Sequence, residues 1–244
     1  MKVELGKIGS ISHGVVLNRV KAKHLEQAKR YPLLTISRLL QEEEGEKPQQ
    51  EMDFPVEETK ISSLKLAKEG MIVIGLTSFH KAVVLTKEHE GMIISSNFLI
   101  LEFPGGIMDP HYFAWYFNEH PKMRELQKTV MNGEGKVKVL SIRLIRELMI
   151  QVPDLVTQMA VGNLYALQNQ KESLWKEKLR LEKEILSLRM TALTSVENEK
   201  NDFISGFFDQ NMLERQSLIE RQLTEIEKKK NMYAEEMKLL RCME

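Results

Sequence analysis

In the first 152 residues, apolar positions come in short runs. Tyr31–Ile36, Met71–Leu76, Ala82–Thr86 and Met92–Phe103 are rich in Val, Ile, Leu and Phe and are flanked by Gly, Lys or Pro, which predicts strands. Between the first two lies Gln41–Glu58, with Glu42-Glu43-Glu44 and Pro48; it has too little apolar surface to bury and reads as a solvated loop. Asp109-Pro110 predicts a helix start, an N-cap carboxylate followed by a proline whose missing N–H costs nothing at the first helical position. Phe113, Trp115, Tyr116, Phe117, Met123, Leu126 and Val130 supply its apolar stripe, and Asn132-Gly133-Glu134-Gly135 stops it. A short second helix is expected from Ser141, with Ile142, Leu144, Ile145 and Leu148 inward and Pro153 as the end of this region.

Beyond Leu155 the pattern changes. Leu167, Leu174, Leu181 and Leu188 recur every seventh residue, with Leu164, Lys171, Lys178, Ile185 and Ala192 at the alternate positions. This is the 3-4 spacing of a helical seam, interrupted by two lysines. Thr194–Gln210 breaks the register, and Met212, Ile219, Ile226, Tyr233 and Leu240 resume it. A charged helix of this kind does not stabilise itself, so Leu167, Leu174, Leu181, Leu188, Ile219, Ile226 and Tyr233 are expected to meet another helix, from the same chain or a second one. The expected fold class is α+β: a mixed α/β domain over 1–152, then a long antiparallel helical hairpin or coiled coil. Its parts are a helix over 153–194, a turn over 195–210 and a second helix over 211–244.

Composition narrows the function classes. The apolar runs are too short for a membrane-spanning helix, and charge at Met1–Gly6 with no apolar stretch behind it gives no secretory signal. The single cysteine, Cys242, excludes an internal disulfide framework and points to a reducing cytoplasm. Net charge is zero, which disfavours coating nucleic acid by charge alone. The charge is uneven, however. Residues 1–40 hold eight Lys/Arg against two Glu, 41–60 hold two Lys against eight acids, and 121–150 hold seven Lys/Arg against three Glu.

Candidate chemistry is sparse. The six histidines show no metal-ligand spacing. Gly133-Glu134-Gly135-Lys136 lacks the spacing of a phosphate loop. With Asp109 it would supply the acid and lysine of a magnesium nuclease, but similar triplets recur at Glu58–Lys60, Glu227–Lys229 and Glu236–Lys238. No Asn/Asp-Pro-Pro-aromatic loop marks an amino-methyltransferase, and Ser95-Ser96 has no evident base. No metal and no cofactor are expected.

An ordered set of segments resembles the DNA specificity subunit of type I restriction–modification enzymes. These are Leu5-Gly6-Lys7-Ile8-Gly9-Ser10-Ile11-Ser12-His13-Gly14, Tyr31-Pro32-Leu33-Leu34-Thr35-Ile36, Leu66–Ile74 with Gly70 before the strand, Ser95–Leu101 and Pro110–Phe113. The run Ile150-Gln151-Val152-Pro153-Asp154-Leu155 with Gln158, leading into a long helix, carries the resemblance furthest. It implies a target recognition domain followed by a spacer helix, in a non-catalytic subunit that holds a DNA half-site and docks adenine methyltransferase subunits. Those partners use S-adenosylmethionine, and a translocase subunit can join them. Full-length members carry two recognition domains, so this chain looks like a half-sized form that would pair with a second copy or a second specificity half.

Under this reading the partner is double-stranded DNA. Bases are read by polar groups and register is set by phosphate contacts. The candidate DNA-binding residues are Arg19, Lys21, Arg38, Ser78, His80, Lys81, Lys136 and Lys138. The alternative is a coiled-coil adaptor that binds only protein, its first domain a degenerate recognition fold.

Overall fold

The computed structural model describes residues 1–24, 26, 28–46, 53–76, 80–132, 142–195, 214–215, 217–229, 231–232 and 235. It is a mixed α/β structure with one long helix. The chain forms two units: Met1–Leu40 with Pro48–Ala166, and Gln41–Lys47 with Leu167–Glu244.

In the first unit the apolar runs pair as β2 (Ser10–His13), β8 (Phe98–Glu102), β5 (Ile72–Gly75) and β6 (Ala82–Val84), an antiparallel sheet in that order. Successive residues of a strand face opposite ways, and both faces of this sheet are covered. Ile72, Ile74, Leu99 and Leu101 join a core with Phe113 and Phe117 of α4 (Pro110–Glu119). Val73, Phe98 and Ile100 join another with Leu34 and Leu39. A second sheet runs β4 (Asp53–Val56), β3 (Lys29–Leu34), β7 (Ile93–Ile94), with β3 antiparallel to β4 and parallel to β7. A two-stranded ribbon joins β1 (Lys2–Glu4) to β9 (Met149–Gln151). The remaining helices are the single turns α1 (Leu5–Ile8) and α2 (Leu17–Val20), then α3 (Ile36–Glu43), α5 (Pro121–Asn132), α6 (Ile142–Arg146) and α7 (Leu155–Ser195).

Three expectations are corrected. The acidic stretch Gln41–Glu58 is not all loop. Its start belongs to α3, which buries Leu39, and its end forms β4, whose Val56 is fully buried. Pairing with β3, a contact distant in sequence, supplies what local composition lacks. The run Met92–Phe103 is two strands, because Ser95–Asn97 turn the chain out of β7 and back into β8. The aromatic helix does not continue unbroken to Val130: it stops at His120, whose ψ of 130° is extended, as a residue before proline prefers.

In the second unit, α7 from Leu167 onward packs against helical residues 217–229. Leu174, Leu181, Ile185 and Leu188 meet Ile219, Leu223 and Ile226 in one apolar cluster. The ion pairs Lys178–Glu227 (2.6 Å) and Arg189–Glu220 (4.0 Å) run in opposite sequence directions, so the helices are antiparallel. Lys178, one of the two lysines interrupting the stripe, reaches Glu227 across the seam and is held charged above its ordinary range chiefly by that bond. Residues 42–45 seat on the same helix. Ser173 Oγ donates to the Glu42 carbonyl (3.4 Å), and Lys176 Nζ donates to the Glu43 carbonyl (3.2 Å) and to Glu44 Oε1 (2.9 Å). The Glu43 carbonyl is one that the end of α3 leaves open, whereas the Glu42 carbonyl also accepts from Gly45 N–H (3.1 Å). Leu167 is partly buried but is not in the apolar cluster, and Tyr233 lies outside the described residues.

Candidate nucleic-acid interface

Antiparallel pairing brings one end of every strand of the large sheet to a single edge. His13 at the end of β2 pairs with Leu99, Gly75 at the end of β5 with Phe98, and Ala82 at the start of β6 with Ile74. Main-chain hydrogen bonds then lock the connecting segments together. Gly14 N–H donates to Phe98 O (3.1 Å), Ser96 N–H to Val15 O (2.8 Å) and Leu76 N–H to Asn97 O (3.0 Å). Gly14 is needed here, since a Cβ would stand 2.1 Å from the Ser95 carbonyl oxygen. The edge presents His13, Asn97 and Lys81 exposed, with His80 and Ser96 partly buried. His80 Nδ1 is shut off from solvent and has no hydrogen-bond partner among the described residues.

A row of cations lies elsewhere in the same unit, at the end of β3 away from the Leu34–Ile94 pairing. Lys21 bridges to Val56 on one side of β4, while Lys29 pairs with Val56 on the other, and Arg30 pairs with Pro55. Neighbouring strands lie about 4.8 Å apart, so the backbones at Lys21 and Lys29 stand roughly 10 Å apart. Arg19, Lys21, Lys23, Lys29 and Arg30 are all exposed. None of them forms an ion pair with another described residue; Lys29 lies over the Tyr31 ring at 5.6 Å. Val15, bridged to Ser95 at the polar edge, is only four residues from Arg19, at most about 14 Å of chain. The first unit therefore carries a polar sheet edge and, apart from it, a set of exposed cations that form no ion pair with a described residue.

Of the residues singled out from sequence, Arg19 and Lys21 fall among these cations, and His80 and Lys81 at the polar edge. Arg38 is on α3, which begins two residues after Leu34, the partner of Ile94; it is partly buried, its N–H donates to Thr35 Oγ1 (3.1 Å), and it has a further interaction within the protein. Lys81 also has an interaction of its own. Ser78, Lys136 and Lys138 lie outside the described residues, as do Glu134 and the Gly133–Gly135 turn. Sequence reasoning passed over His13, Ser96 and Asn97 because each looked like strand or turn polarity. Only the pairing of three distant segments puts them together, although a polar turn between two wholly apolar strands was the available signal.

The start of α7 is fixed to this domain by a buried carboxamide. Gln158, 2% exposed, accepts from Asp109 N–H (2.9 Å) and donates to the carbonyls of Pro153 (3.0 Å) and Ile107 (3.3 Å). Asp109 in turn caps α4, its Oδ1 accepting from Tyr112 N–H at 2.7 Å; the expected N-cap is present. Gly162 lets α7 pass, since a Cβ there would stand 2.3 Å from Asp109 Oδ1. With its carboxylate used as a cap, Asp109 serves structure. Burial pushes the nearby His111 imidazole below its ordinary range, with the Asp109 charge opposing. Among the described residues no group of three or more His, Cys, Asp or Glu is placed to hold a metal ion, and no helix is long and apolar enough to cross a membrane.

No family model and no curated protein matches this sequence. Among solved structures, the HsdS subunit from Thermoanaerobacter tengcongensis is similar over 83% of this chain and 50% of its own, with 12% identity and a TM-score of 0.52. A chain from work on complex assembly and conformational transition of the type I R-M system matches over 80% of this chain and 48% of its own, at 10% identity and a TM-score of 0.49. The type I restriction-modification S subunit from M. genitalium matches over 82% and 46%, at 8% identity and a TM-score of 0.46. This chain spans about half the length of each. At 12% identity the likeness to the first of these establishes a shared fold alone, a mixed α/β region with a long helix.

Proposed function

We propose that this chain is a non-catalytic DNA-specificity component of a type I-like restriction–modification complex. Its first unit grips one half-site of duplex DNA, and its helices dock adenine methyltransferase subunits and, where present, a translocase. The observation that carries the reading is the polar edge of His13, Ser96, Asn97, His80 and Lys81, with the exposed cations Arg19, Lys21 and Lys29 in the same unit. The first group suits base edges in a major groove, and the second suits phosphates. The shared fold with an HsdS subunit supports the same assignment. A bipartite target would be completed by a second copy of this chain or a second specificity half. The work takes place in the cytoplasm, where the target DNA and the partner subunits are found.

Binding to duplex DNA as a function of salt tests this directly. The logarithm of affinity should fall linearly with the logarithm of salt concentration, at about −0.9 per phosphate neutralised. Each of Arg19→Ala, Lys21→Ala and Lys29→Ala should reduce that slope by about one while leaving base preference alone. A chain that binds no duplex at about 50 mM salt, or binds with no salt dependence, would favour the protein-binding adaptor instead.

A further inference from the structure

β6 is the outer strand of the large sheet, and one side chain supplies the pairing its open edge lacks. Asn118, near the end of α4, accepts from Ala82 N–H through Oδ1 (2.9 Å) and donates through Nδ2 to the Ala82 carbonyl (2.8 Å). It thereby repeats the two-bond exchange of an antiparallel neighbour. The same Nδ2 donates to the Tyr165 hydroxyl (2.9 Å) at the start of α7. The alternation of the ladder explains the arrangement. The Lys81 carbonyl points inward and accepts from Gly75 N–H (3.4 Å), so both polar groups of Ala82, itself 3% exposed, point outward. Without Asn118 they would be buried and unpaired, a state that native structures avoid.

We infer that Asn118, steadied by Tyr165, is a positioning residue for base reading by His80 and Lys81. Those two residues immediately precede the clamped one, so the direction in which they leave the sheet is set at Ala82. His80 carries a ring nitrogen with neither a partner among the described residues nor solvent, an unmet group of the kind tolerated where function requires it. Asn118 touches no DNA in this arrangement and acts only through the main chain. Tyr165 links the same clamp to the first turns of α7. The inference rests on the DNA-binding reading above and adds to it a residue that controls sequence preference without carrying charge.

The test is selection from a pool of duplexes randomised at the contacted positions, using the full chain and its Asn118→Ala and Tyr165→Phe variants. Two further measurements accompany it: the salt slope, and amide exchange at Ala82. Asn118→Ala should flatten the preferred sequence by about tenfold, the equivalent of one net hydrogen bond, with Tyr165→Phe showing a smaller loss. The salt slope should stay at the wild-type value in both, since no phosphate contact is removed. Exchange at Ala82 should rise in step with the loss of preference. Where Asn118→Ala does not fold, Tyr165→Phe, which keeps the ring and loses only the hydroxyl, decides the matter. Raised exchange with an unchanged preference overturns the positioning role while leaving the DNA-binding reading intact. A wild-type chain that enriches no sequence, although its Ala82 amide is protected, removes that reading and the inference with it.

Discussion

Replacing Gln158 by leucine should unlatch α7 from the first unit's core. The side chain is buried and makes two good hydrogen bonds, from Asp109 N–H at 2.9 Å and to Pro153 O at 3.0 Å, and a longer one to Ile107 O at 3.3 Å. Leucine matches its size and keeps the site apolar, but leaves three main-chain groups without partners. Each unsatisfied buried group costs about 1–3 kcal/mol, the 3.3 Å bond counting least. Against this, the extra apolar burial regains about 1 kcal/mol. The net loss should be about 2–4 kcal/mol, a large share of the roughly 5–15 kcal/mol that holds a domain together. Trp115 lies in the first unit and Trp175 in the second. Urea denaturation followed by fluorescence in a Trp175→Phe background therefore reports the first unit alone. Gln158→Glu provides the companion test. Its carboxylate still accepts from Asp109 N–H but faces two carbonyl oxygens, so it should be at least as destabilising near neutral pH and should recover partly on acidification, when a protonated acid can donate again. A Gln158→Leu protein within about 0.5 kcal/mol of wild type would show that these bonds contribute no net stability.

Other substitutions probe separate parts of the molecule. Gly14→Ala forces Cβ against the Ser95 carbonyl; it should cost about 1–3 kcal/mol as overpacking does and weaken DNA binding by parting the segments of the polar edge, both measurable on one preparation. Burial holds the His111 imidazole below its ordinary range, so folding favours its neutral form. Stability of the first unit should therefore be full above the ordinary imidazole range and decline as pH falls through it towards the lower folded value; His111→Gln should make the decline shallower in thermal melts taken between about pH 7 and 5. In the second unit Leu181, 2% exposed among Ile219 and Ile226, should cost about 2–5 kcal/mol when cut to alanine. That loss should appear in the Trp175 signal and leave Trp115 unchanged.

How far the sequence disclosed this structure depends on the range of the interactions involved. The strands at Met71–Leu76 and Ala82–Thr86 and the cap at Asp109-Pro110 are written locally, in apolar runs and in a carboxylate before proline. So is α7, whose bounds at Leu155 and Ser195 lie close to the expected ends. In the second sheet β3 and β7 lie in predicted runs, but β4 was illegible because it begins with Asp53 and contains Pro55, and only pairing with β3 makes it a strand. The candidate interface was half legible. Arg19 and Lys21 stood out by charge, but the cations that make them a row, Lys29 and Arg30, come from β3, brought alongside by β4. Asn118 gave no signal at all, because a carboxamide inside an aromatic helix resembles ordinary surface polarity until β6 is seen against it.

The ribbon of β1 and β9 carries one more consequence. Lys2 pairs with Gln151 and Glu4 with Met149, so the first and last strands of the first unit lie side by side, about 4.8 Å apart. This ribbon joins residues about 150 positions apart, so closing it costs more chain entropy than a local hairpin does. It should therefore be among the last pairings to form and the first to fray, independently of the large sheet.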